Sequence, residues 1–89
     1  FDTDFLNPSY APATNCPEPG GPSYEDTLKY LKAVIESCDK IIGMDFVEYN
    51  PDCEGSVVTG TTIVNLIMEA LSYMTKKNKH YFLTDRMEE

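Results

Sequence analysis

"KIIGMDFVEYNP", residues 40–51, is the stretch on which the fold turns. It is of strand length, mostly apolar, rich in β-branched and aromatic residues, and broken at Asn50-Pro51. Such a run reads as a buried strand of a parallel sheet leading into a turn. Two acids, Asp45 and Glu48, interrupt it, and a carboxylate is costly to bury without a partner. For Asp45, a hydrogen bond to loop amides and a functional role both stay open. Glu48, nearer the strand end, is the better ligand candidate.

Helices flank this strand on both sides. Upstream, "PSYEDTLKYLKAVIESC" offers Ser23 as a cap, with Glu25 and Asp26 in the first turn and Asp26 at the third position of a capping box. Leu28, Leu31, Val34, Ile35 and Cys38 recur at spacings of three and four, which predicts an apolar stripe on a helix ending near Asp39. Downstream, "SVVTGTTIVNLIMEALSYMTKK" places Val57, Val58, Ile63, Val64, Leu66, Ile67, Ala70, Leu71 and Met74 on a wide apolar helix face. Lys76 and Lys77 suit the negative end of that helix, and a polar tail with the single His80 is expected beyond it.

The chain opens with "FDTDFLNPSYAPATNCPEPGG". Phe1 stands in what reads as a strand end, so an upstream segment is expected. Pro8, Pro12, Pro17, Pro19 and Pro22, with Gly20 and Gly21, make residues 5–22 a stiff loop of the length that usually builds a site. The order is then strand end, loop, helix, strand, loop, helix: a parallel βαβ unit plus one more helix. Two parallel strands cannot cover their own edges and faces, so residues 1–89 are expected to be a βαβα portion at one end of a larger α/β fold, a three-layer α/β/α sandwich with a parallel sheet.

Composition narrows the function. The 89 residues are 42% hydrophobic and 25% charged, a globular balance for at most one small domain. A net charge of -8 disfavours nucleic acid and anionic membranes and suits a cation or simply a solvated surface. Cys16, Cys38 and Cys53 have no zinc or disulfide spacing, which fits a reducing, cytoplasmic setting. No unbroken apolar run of membrane-span length is visible, and no signal peptide, so no membrane partner is expected.

Asp2 and Asp4, two apart on an extended strand, would project their carboxylates from one side at its C-terminal end, where open α/β sheets bind ligands. Two such charges invite a divalent cation, and oxygen ligands suit manganese or magnesium. Parallel strands end on a common edge, so Asp45 and Glu48 are expected to converge on the same crevice. Nothing in the chain supports a nucleophilic triad, and no catalytic residue is assigned. Cys16 lies in the loop without a basic neighbour to activate it.

These motifs resemble those of the ureohydrolases, the arginase, agmatinase and formimidoylglutamase family. Asp2, Asp4, Pro8, Pro12, Ala13 and Gly21 meet the family's first pattern, and Asp45, Glu48, Asn50 and Pro51 meet its second. The resemblance implies a two-manganese centre that adds water to a guanidinium carbon, with both ions shared with upstream residues. By that likeness Asp2 and Asp4 are metal ligands, Glu48 holds the substrate guanidinium, and Cys16 lies against the substrate. It also implies that the βαβα portion is the C-terminal end of the fold, with a small guanidino substrate, the remainder of a ureohydrolase chain as partner, and a homo-oligomer, trimer or hexamer. "PATxxP", "SYED" and "EYNP" lean toward arginase, with arginine as substrate, while "PEPGG" is more like agmatinase.

Thr3 stands where the family usually has an apolar residue, Asn7 where it has Asp, and Asn15-Cys16 where it has Gly-Thr. These departures leave a second reading, an arginase-like structural or regulatory subunit without catalysis. A third is a free-standing acidic binding module. The 89 residues alone are expected to be inactive, because the family's histidine ligands have no counterpart among them.

Overall fold

Ser23 begins the first helix as its side chain predicts: its hydroxyl accepts the Asp26 amide at 3.1 Å, and its carbonyl takes both the amide and the hydroxyl of Thr27. Helix α1 spans Tyr24–Ser37 and α2 spans Ser56–Glu88, with a short 3-10 turn at Thr3–Phe5 before them. The computed structural model describes residues 1–88, with side chains through Lys77. The expected places of His80 and Met87 therefore lie outside the described side chains. Helix α2 runs past Lys77, where a tail was expected; residues 76–88 contain neither Pro nor Gly to stop it.

No strand forms among the described residues. The two expected strands are reduced to one parallel bridge, Asp2 with Val47, carried by a short ladder. The Phe1 nitrogen donates to the Asp45 carbonyl at 2.6 Å, the Val47 amide to Phe1 at 2.9 Å, and the Thr3 amide to Val47 at 3.0 Å. The parallel sense is that read from the sequence, but the length is not. A lone parallel pair has no neighbours to extend it, and both segments curl away at once. Thr3–Phe5 turns into 3-10 geometry, and Glu48 takes a left-handed φ of 66°.

The core lies between this bridge and the helices. Leu6, Ala11 and Leu66 are buried at its centre, with Phe1, Tyr24, Leu28, Leu31 and Phe46 packed around them. Phe1 faces Phe46 across the bridge at 5.3 Å between ring centroids. Of the expected α1 stripe, Ile35 is buried and Leu28, Leu31 and Cys38 half-buried, whereas Val34 is exposed. On α2, Ile63, Leu66 and Ala70 face inward and Ile67 and Met74 are half-buried, while Val57, Val58, Val64 and Leu71 are exposed.

Helix α2 is apolar on two opposite sides. Thr59, Ile63, Leu66 and Ala70 form the buried side, and Val57, Val64, Met68 and Leu71 line the other at spacings of seven, four and three. By length and composition, Ser56–Lys77 would even suffice to cross a membrane, with a mean hydropathy of 1.3, as core helices of soluble proteins also can. Counting unbroken apolar residues overlooks this, because Thr59-Gly60-Thr61-Thr62, Asn65, Glu69 and Ser72 interrupt the run.

Gly21 closes the proline loop against the 3-10 turn. A Cβ there would stand 2.4 Å from the Phe5 carbonyl oxygen and 2.8 Å from the Asn7 nitrogen, both backbone atoms that cannot swing aside. Beside it, the Asn7 amide donates to the Pro22 carbonyl at 3.0 Å. Gly21→Ala is therefore expected to destabilise the intact protein by about 1–3 kcal/mol, the usual range for overpacking. Chemical denaturation measures it; an unchanged midpoint would show that the loop does not need this close approach.

Candidate functional site

The site grows from the two motifs that the bridge joins. Asp2 caps the 3-10 turn, its Oδ1 accepting the Asp4 amide at 3.1 Å. The two aspartates therefore meet through a capped turn rather than through the side-by-side spacing of an extended strand. Their carboxyls are still brought together. The Asp4 carboxyl is pushed above the ordinary aspartate range, first by a side-chain hydrogen bond with Asp2 that Asp4 can donate only while protonated. Desolvation adds to this, as do the negative charges of Asp2, Glu48 and Glu18.

Of the two acids of the second motif, Glu48 adds its charge to the field on Asp4. The charges acting on Asp4 are those of Asp2, Glu48 and Glu18. Asp45 enters the ladder through its carbonyl, three residues and roughly 10 Å of extended chain before Glu48. Its side chain is exposed and lines, together with Asp2, Phe1 and Phe46, a cavity of about 590 Å³ between α1 and the bridge. Glu18, in "PEPGG", is exposed, and its charge also acts on Asp4, which the sequence did not suggest. Only its place in the loop after the two aspartates could have pointed to it.

A clasp holds the loop to the second motif. The Asn50 amide donates to the Ala13 carbonyl at 2.9 Å, and Asn50 Nδ2 donates to Asn15 Oδ1 at 2.7 Å. The Ala13 amide donates to the buried Thr59 hydroxyl of α2 at 2.9 Å, and Cys53 Sγ to the Thr14 carbonyl at 3.8 Å. Residues 13–15 are thereby fixed on three sides. Cys16 follows directly and is exposed, free to face a ligand.

Two of the unusual residues have plain structural roles. Thr3 is fully buried, and its hydroxyl donates to the Val47 carbonyl at 2.6 Å, so the polar group is satisfied where an apolar one would serve. Asn7 accepts the Ser9 amide at 3.0 Å and the Ser9 hydroxyl at 2.8 Å through its side-chain oxygen, a task that an Asp carboxylate performs equally.

The donor set fits a hard divalent cation: crowded carboxylate oxygens whose mutual repulsion a cation would relieve. Among the described residues no group of three or more His, Cys, Asp or Glu side chains is placed to hold one by itself.

The family model described as Arginase family matches residues 1–72. An agmatinase of Chromobacterium violaceum is 35% identical over 77 residues, 86% of this chain and 23% of its own. An agmatinase of Cronobacter sakazakii is also 35% identical, over 86% of this chain and 24% of its own. One from Neisseria meningitidis is 38% identical over 71 residues, 80% of this chain and 22% of its own. The chain belongs to the arginase family, whose fold is α/β. It spans about a fifth to a quarter of the length of the curated relatives it matches.

Asn50→Ala removes two side-chain hydrogen bonds, the one to Asn15 and the one that Asn50 Oδ1 accepts from the Asp52 amide. At about 0.5–1.5 kcal/mol each, a loss of about 1–3 kcal/mol is expected. Limited proteolysis should also cut residues 14–20 faster in that variant, and equal cleavage rates would count against the clasp.

Proposed function

We propose that this chain is the C-terminal segment of a single ureohydrolase-type domain, and that the intact protein hydrolyses a small guanidino compound to urea and an amine. The observation that carries the reading is the parallel Asp2–Val47 bridge, which sets the turn of Asp2 and Asp4 beside the segment that bears Glu48. Family membership supports the reaction class, and the names of the relatives favour agmatine over the arginine to which the sequence features lean. An acidic site accords with this preference. Agmatine has no carboxylate for Asp4, Glu18 and Glu48 to repel, whereas arginine does.

Asp2 and Asp4 would hold manganese, together with ligands from the rest of the chain. The metal would supply Lewis-acid activation of the water that adds to the guanidinium carbon. Glu48 would accept charge-assisted hydrogen bonds from the guanidinium and orient its planar carbon. Cys16, presented by the clasped loop, would line the substrate channel. The exposed side of α2 and the short bridge suit a larger parallel sheet of the α/β/α kind, built with the rest of the chain in a cytoplasmic homo-oligomer.

Of the departures that favour an inactive subunit, Thr3 and Asn7 have structural explanations, and Cys16 remains. The purified intact protein, supplied with manganese, is expected to release urea from agmatine faster than from arginine. Asp4→Asn should lower kcat by at least about 100-fold, in keeping with loss of electrostatic catalysis. Absence of urea from the wild type with either substrate would overturn the reading in favour of a non-catalytic subunit.

A further inference from the structure

Glu48 has a backbone conformation that residues other than Gly, Asn and Asp seldom adopt, φ 66°. Such a conformation persists only when the surroundings impose it. On its upstream side, Val47 is tied through both its amide and its carbonyl to Phe1 and Thr3. On its downstream side stands Tyr49, whose hydroxyl donates to the carbonyl of Ser56, the first residue of α2, at 2.9 Å.

The tyrosine ring lies against α2 where Gly60 leaves room for it. A Cβ at Gly60 would stand 3.0 Å from the phenol oxygen and 3.4 Å from Cζ. Asn50 adds its own clasp one residue further on. The left-handed residue is thus strung between the bridge and a helix that Ile63, Leu66 and Ala70 anchor in the interior.

We propose that Tyr49 is a positioning residue for Glu48: its bond to Ser56 and its fit against Gly60 hold the turn that sets the direction of the Glu48 carboxylate. The inference rests on the reading of Glu48 as the guanidinium partner. Tyr49 itself touches no substrate. It acts by limiting the orientations that Glu48 can take, and so the substrate geometries that react.

The test uses the intact, manganese-supplied protein with agmatine as probe, measuring kcat, KM and thermal midpoint. Tyr49→Phe keeps the ring and removes the hydroxyl. It should lower kcat/KM by about 2–10-fold, mainly through KM, which is the range for one neutral hydrogen bond. The thermal midpoint should stay near that of the wild type, and Gly60→Ala should shift KM the same way. In a Glu48→Gln background, Tyr49→Phe should add nothing further, because the group it positions is already altered.

An equal loss in both backgrounds, or a lower midpoint with unchanged KM, would overturn the proposal and leave Tyr49 a structural residue. If Glu48→Gln raises KM while Tyr49→Phe does not, the positioning role falls and the guanidinium reading stands. If Glu48→Gln leaves KM unchanged, both fall. Should Gly60→Ala fail to fold, Tyr49→Phe decides alone.

Discussion

Val47 is the joint on which the structure depends. Its amide binds the Phe1 carbonyl, and its carbonyl accepts both the amide and the hydroxyl of Thr3, 44 residues away in the chain. Fixing contacts so distant in sequence costs loop-closure entropy, and three hydrogen bonds converging on one residue offset part of it. The bridge places the turn of Asp2 and Asp4 beside Glu48, and it stacks Phe1 on Phe46 as a lid over Leu6. The Phe1–Asp45 bond and the Asn50 clasp hold the same two motifs on either side of Val47.

The stiffness of the proline loop has two sources. Its prolines limit the unfolded chain, and the Asn50–Asn15 and Ala13–Thr59 bonds secure its middle in the folded one. Gly55 contributes at the far side: at φ 80° it lets the chain turn into α2, and a Cβ there would meet the Pro12 ring at 2.6 Å. Loop, second motif and helix therefore form one unit, with Cys16 and Glu18 carried on its exposed rim.

What was legible in the sequence was local. The start of α1 could be read because Ser23 and Asp26 lie within one turn of each other, and the inward side of α2 because its period is regular. The parallel sense of the two acidic motifs was also legible, and it survives as the Asp2–Val47 bridge. The strands themselves were not, because their length depends on neighbours rather than on their own propensity. The burial of Thr3 was equally hidden: nothing near it in sequence discloses that the Val47 carbonyl is its partner. Val34 and Leu71 have the spacing of core residues, yet their sides of α1 and α2 are bare.

The central claim is that Asp2 and Asp4 share a divalent cation beside Glu48. It is tested most directly by anomalous scattering at the manganese edge from crystals of the intact protein grown with manganese. The account predicts an anomalous peak within coordination distance of both the Asp2 and Asp4 carboxylates. Manganese bound elsewhere in the molecule, with no peak at these two residues, would contradict it.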